Sequence, residues 1–294
     1  MTGRFLFWKK NTAVIRVSVM QRLNSLYLAV TQIDGHCAFF TREITSGQSA
    51  QQCFIAFIRE MHLQNAEVYV VLNSEEYQQV SVERPNVADD EMHQSLVWAI
   101  KDFTAEPAAT MAIDFYDVVS GNRNNNRIQV VCTSGQRMRD WASSCHELVN
   151  LKVVTIDELA MADLFDESTQ VHVLLHQHMN QELHLLAIWN GQVCLSRSLR
   201  GYQTALDDSF EQWQPYLKDQ FVLDIQRSCD YLVGQLKLPQ VSNLYIALNL
   251  AAPQAMASYL DEQFQFKVSV FAGDSIPADK HYLPVWGVLQ GAQS

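Results

Sequence analysis

Apolar and polar positions fall into short strand-like runs separated by turn residues. Residues 14–20 (VIRVSVM) and 25–33 (SLYLAVTQI) are such runs, and Asp34-Gly35 separates the second from 36–42 (HCAFFTR). Asp-Gly between two apolar runs is a two-residue hairpin signal, because both central positions need positive φ. The chain is therefore predicted to open with three consecutive antiparallel strands. A helix at 48–63 and an apolar strand at 67–73 (EVYVVLN) follow.

The same order returns later. Strands are predicted at 171–176 (VHVLLH), 182–189 (ELHLLAIW) and 192–199 (QVCLSRSL), with Asn190-Gly191 as the second turn. A helix at 215–236 and a strand at 243–249 (NLYIALN) complete the second copy. Both closing strands end in Leu-Asn. Turn chemistry, element order and closing strand agree, which is the signature of an internal duplication.

Extra material lies between the copies. Residues 76–84 (EYQQVSVER) read as a strand, and 86–89 as a capping box with Asp in place of Glu or Gln, opening a helix to about 103. Strands at 111–119 and 127–133, a helix at 135–149, a strand at 151–156 (LKVVTI) and a helix at 157–165 follow. The domain boundary is placed near 165–169: a first domain at 1–165, with an insertion at about 76–133, and a second at 166–294. On the inserted helix, Met92, Leu96, Ala99, Ile100 and Phe103 follow helical spacing and should face the core. Trp98 lies off that stripe and is either packed under a neighbouring strand or an exposed anchor for a partner.

Composition narrows the class. The 294 residues suffice for two cores. Lys and Arg number 21 against 32 Asp and Glu, a net charge of −11, which repels phosphate backbones and argues against nucleic acid. No apolar run approaches the ~18 residues of a membrane span. The leader at 4–10 (RFLFWKK) has four consecutive apolar residues, too few for a signal-peptide core. It reads as a segment packed on the first domain or one that dips into a membrane interface. Six scattered cysteines without CxxC read as reduced thiols. Together these features predict a cytoplasmic protein.

Other chemistry is sparse. His172, His176, His178 and His184 cluster, and the first three share strand parity. A metal site is one reading; the reading adopted is a half-exposed strand and turn, with no metal. Asp114 and Asp117 are three apart on one strand, so they point to opposite faces and form no acid pair. GxSxG, HExxH and P-loop motifs are missing.

The duplicated β-β-β-α-β order, with an insertion in the first copy, resembles the actin-like ATPase superfamily, two ribonuclease H-like domains facing across a cleft. More specifically, "FLFWKK" (5–10), "RPNVADDEMHQSLVWAIKDFTAEPAATMAIDFYDVV" (84–119), "NGQVCLSRSLRGY" (190–202), "DIQRSCDYLVGQ" (224–235) and "LPVWGVLQG" (283–291) resemble, in order and spacing, the PilM and MshI family of type IV and MSHA pilus biogenesis. The cytoplasmic domain of GspL from type II secretion is a more distant cousin. The resemblance implies a cytoplasmic scaffold peripheral to the inner membrane. Its partner would be the extended cytoplasmic tail of a bitopic PilN-like protein, bound in a cleft of the first domain near the insertion. Self-association is left open.

Actin-like enzymes need an acid and a glycine in the first hairpin, the same in the second, and a Gly-Gly pair after the last strand for the adenosine. Here Ser18 stands at the acid position and Met20 at the glycine position of "IRVSVMQRLNS" (15–25). "VHVLLHQHMNQEL" (171–183) has no glycine, and its only acid, Glu182, lies past the turn. Asn249, Leu250, Ala251 and Ala252 stand where the glycines would be. These losses predict a pseudo-ATPase with no cofactor. The alternative is a nucleotide-binding ATPase switch, with ATP and Mg²⁺, whose loops deviate. A third reading is an unrelated two-domain α/β protein with an unknown ligand between its halves.

Overall fold

The computed structural model describes residues 14–31, 36–121, 126–177 and 182–292. The leader, the Asp34-Gly35 turn and His178 lie outside them. β1 (Arg16–Arg22), β2 (Ser25–Thr31) and β3 (Cys37–Glu43) form an antiparallel meander. β4 (Glu67–Leu72) then pairs parallel to β1, and β8 (Asn150–Ile156) parallel to β4, giving the sheet order β3-β2-β1-β4-β8.

The second sheet repeats this plan. β9 (Val171–Gln177), β10 (Leu183–Trp189), β11 (Gln192–Leu199), β12 (Val241–Ala247) and β13 (Lys267–Val270) lie in the order β11-β10-β9-β12-β13. Asn190 and Gly191 between β10 and β11 have φ of 54° and 70°, the left-handed pair that the Asn-Gly signal demands. The duplication is therefore present in strand order and in strand direction.

Alternation along each strand sends side chains to two cores. On one face of the first sheet, Val17, Val19, Leu28, Val68 and Val70 pack under α1 (Ala50–Glu60) and α3 (Gly135–Cys145). α1 begins at a capping box, in which Gln52 N donates to Ser49 Oγ (3.2 Å) and Ser49 N to Gln52 Oε1 (3.0 Å). Its apolar stripe places Phe54 edge-on to Trp141 of α3, with centroids 5.8 Å apart. In the second sheet, Val173, Leu175, Leu185, Leu244 and Ile246 pack under α5 (Pro215–Gly234) and α6 (Pro253–Gln263). Pro at the start of each of these helices fits a position whose N–H has no intrahelical acceptor.

Two short helices fill the space between the sheets. α4 (Asp157–Ala162) and α7 (Leu283–Gly291) present Ala160, Val285, Val288 and Leu289 to Met20, Ala29, Tyr69 and Val71 of the first sheet. They present Met161, Ala162 and Leu283 to Leu174, Leu186 and Ala247 of the second. The order across the molecule is helices, sheet, α4 and α7, sheet, helices.

Between β4 and α3, where the second copy runs from β12 into α6, the chain builds a separate sheet. β5 (Tyr77–Glu83), β6 (Met111–Asp117) and β7 (Arg127–Ser134) lie in the order β5-β7-β6. α2 (Asp89–Ile100) covers one face through Met92, Leu96 and Ile100. Two expectations fail on α2. No side chain caps it: Ala88 occupies the N-cap, and Asp89, Asp90 and Glu91 act through their charge on the helix dipole. Ala99 and Phe103 are exposed, the latter 71%, because the helix ends at Ile100 before Phe103 can reach the core. The helices expected to reach 149 and 165 also end earlier, at Cys145 and Ala162.

Candidate functional site

Strands β1 and β4, with β9 and β12 of the second copy, run toward a crevice between the two sheets. Met20, Arg22, Asn73, Asp157, Asn249 and Lys280 are among the residues that line it. Ser18 is fully buried, and its Oγ donates to the Val285 carbonyl of α7 at 2.5 Å. Met20 is buried beneath α7. Their side chains are absorbed by packing between sheet and helix.

The two asparagines that end the repeated strands both sit at this crevice and both staple loops. Asn73 Nδ2 donates to the Gln21 carbonyl (2.9 Å) and to Glu76 Oε2 (2.8 Å). Asn249 Nδ2 donates to Asp279 Oδ1 (2.7 Å), and its Oδ1 accepts from Lys280 N (2.7 Å). Ala251 is exposed and makes no such bond. Burial pushes the Asp279 carboxyl up, but bonds from the His281 ring and backbone and from Asn249 outweigh it and hold it at about 2. The open space left is about 20 Å³, room for a water or two.

A larger concavity of about 400 Å³ lies between β6 and β8. Each is the outer strand of its sheet. Its walls are mostly apolar: Leu72, Tyr116, Val131, Met138, Val153 and Leu159. Val153 is 41% exposed although it sits mid-strand, because among the described residues no further strand covers that edge. Tyr116 OH donates to Gln79 Oε1 at 3.0 Å. Burial, then the nearby Glu158, push its ionisation well above the usual tyrosine range, so it remains a donor.

The residues singled out in the sequence divide between these places and neither. Ser18, Met20 and Asn249 come together at or beside the crevice. Asp114 lies at the groove, whereas Asp117 pairs with Arg84, so the two aspartates do not act together. Trp98 is 61% exposed on the outer face of α2, with Lys101 Nζ 3.9 Å from its ring centroid, and belongs to neither site. It is therefore not packed under a strand. His176 and His184 rings lie 5.6 Å apart, while His172 stacks on Phe165 at 5.4 Å. Among the described residues, no three His, Cys, Asp or Glu are grouped to hold a metal. Two residues were missed. Asp157, 5% exposed, accepts from Tyr77 OH (2.5 Å) at the start of α4. Val153 was read only as part of a strand.

No protein-family profile matches the chain, and no curated protein matches it in sequence. Solved structures do. The chain is similar to a PilM-PilN type IV pilus biogenesis complex, at 14% identity, TM-score 0.61, and coverage of 94% of this chain and 96% of that one. The fold is that of the actin-like ATPases. The same actin-like fold appears in a Bacteroides thetaiotaomicron protein described as having an actin-like ATPase fold and unknown function, at 10% identity, TM-score 0.52, covering 92% and 95%. The cytoplasmic domain of EpsL, an inner-membrane component of the Vibrio cholerae type II secretion system, matches at 13% identity and TM-score 0.51, covering 94% of both chains. Among the described residues no helix of this actin-like chain is long and apolar enough to cross a membrane.

Proposed function

We propose that this protein is a non-catalytic scaffold of an MSHA-like pilus assembly platform on the cytoplasmic side of the inner membrane, and that it grips the tail of a PilN-like membrane protein. The observation that carries the reading is the contrast between the crevice and the groove. The crevice is reduced to about 20 Å³ with Ser18 and Met20 committed to packing, while the groove between β6 and β8 offers about 400 Å³. A triphosphate needs close backbone approach and a Mg²⁺ ligand, and a buried methionine at the first turn supplies neither. The groove suits an extended apolar segment, which buries side chains on Val153, Met138 and Tyr116 and gains main-chain bonds at the free strand edges. The partner class is supported by the PilM-PilN complex among the similar structures.

Calorimetric titration with ATP and Mg²⁺ is expected to give no heat of binding; micromolar affinity would refute the pseudo-ATPase reading. In parallel, a labelled peptide of the cytoplasmic tail of a PilN-like bitopic protein should bind. Val153→Asp, which places a charge on the apolar wall, should weaken that binding at least tenfold. Equal affinity of the two proteins would refute the groove.

A further inference from the structure

The face of the inserted sheet turned away from α2 does not end at the apolar groove. Tyr116 lines the groove on one side and a second, larger cleft of about 530 Å³ on the other. That cleft is walled by Tyr77, Gln79 and Ser81 of β5 and Gln129 of β7, residues two apart along their strands and so on one face. Its opposite wall is β11, which contributes Ser196 and Ser198. β11 is the outer strand of the second sheet, and no strand pairs with its other edge among the described residues.

The cleft has a fixed polar floor. Tyr116 OH donates to Gln79 Oε1, and Gln79 Nε2 in turn donates to Glu158 Oε2. Ser196 Oγ donates to Glu158 Oε1 (2.5 Å) and lies 3.2 Å from His184 Nδ1. Glu158 is 4% exposed, and both its oxygens already accept. Ser196 thus links the acid to the imidazole. Among the described residues no lysine or arginine lines the cleft, although Arg127 stands at its mouth, Nε 3.1 Å from Ser81 Oγ. Glu158 already accepts from Gln79 and Ser196, Glu182 from Ser198, and Arg127 is held by Ser81, so a charged side chain entering would compete with bonds already made. Hydroxyls, amides and a free strand edge instead match an uncharged polar chain in extended form.

We propose that the partner's tail continues past Tyr116 into this cleft, where an uncharged polar stretch of it pairs with the outer edge of β11 and is read by Gln79, Ser81 and Gln129. This rests on the assignment of the apolar groove to the tail, and it adds the second half of the molecule to the binding surface. The test uses the full chain and the same labelled tail peptide. Gln129→Trp adds bulk to the cleft beside Tyr116, its cross-strand neighbour on the same face. It should weaken binding at least fivefold while leaving the melting temperature unchanged. In hydrogen exchange, the peptide should protect amides of 193–198 in the wild type and not in Gln129→Trp. Tail variants with one added Lys or Glu in the polar stretch should each bind at least fivefold more weakly. If the peptide binds, Val153→Asp weakens it, and yet Gln129→Trp binds within twofold with 193–198 unprotected, the cleft is not part of the surface and only the groove assignment survives. If Val153→Asp has no effect, or no binding occurs, the groove assignment itself fails and this inference falls with it.

Discussion

Single side chains decide what the crevice between the halves can hold. A polar side chain at position 18 would ordinarily be drawn toward solvent or a ligand, yet Ser18 is fully buried and bonded to the Val285 carbonyl. Ser18 thus anchors α7. Met20 fills the volume beneath the same helix. Asp279 does similar work at the rim, where three donors (Asn249 Nδ2, His281 N and the His281 ring) converge on its Oδ1 within 3.0 Å. Its folded-state ionisation, about 2, lies below the ordinary value near 3.9. The sign follows from that depression: the charged form is favoured in the folded chain, so its contribution is full above about pH 4 and is lost as pH falls through 2. Asp279→Asn should therefore melt below wild type at pH 7, and the gap should close between pH 4 and 2. A gap that persists unchanged at pH 2 would show that shape, not charge, holds the segment.

At the scale of elements, α4 and α7 cross in close contact between the two sheets. A Cβ placed on Gly287 would lie 1.9 Å from the Ala160 carbonyl oxygen. That atom is backbone and cannot rotate away. Alanine at 287 would gain up to ~1 kcal/mol of helix propensity. Overpacking costs ~1–3 kcal/mol, and contact with backbone places this site at the upper end. Gly287→Ala should lower the melting temperature by a few degrees, measured by circular dichroism; an unchanged or raised value would mean that the helices separate freely. This crossing also shows how far the chain could be read. The meanders and both parallel closing strands were legible, because period-two alternation and Asp-Gly or Asn-Gly turns are local signals. α6 and β13 were not read, since 253–263 (PQAMASYLDEQ) scatters its apolar residues and β13 spans only four. The crevice was legible through Ser18, Met20 and Asn249, because turn residues carry their chemistry in place. The groove was not. It joins β6 and β8, outer strands of different sheets, and nothing in "LKVVTI" (151–156) tells an edge valine from a central one.

Across the whole molecule, the same two helices set how the halves respond to stress. α4 and α7 together bury side chains on both sheets, Ala160 and Val285 on the first, Met161 and Leu283 on the second. The inserted sheet adds a second tie, where Ser120 Oγ and Gly121 N both donate to the Leu236 carbonyl at 2.8 Å. Glu158 adds a third, accepting from Gln79 of the inserted sheet and Ser196 of the second sheet. Unfolding either half would expose one face of the shared helices and take away one of the donors to Glu158. Each half has its own core under its outer helices, but the inner faces of both sheets are covered by the shared helices, so the two should unfold together. Urea denaturation followed by tryptophan fluorescence, which samples Trp141 in the first half and Trp213 in the second, should give one transition coincident with the loss of far-ultraviolet circular dichroism. Two separated transitions would show that the halves are independent, and a scaffold that spans both of them to hold one tail would then lack the rigidity that the shared helices are argued to give it.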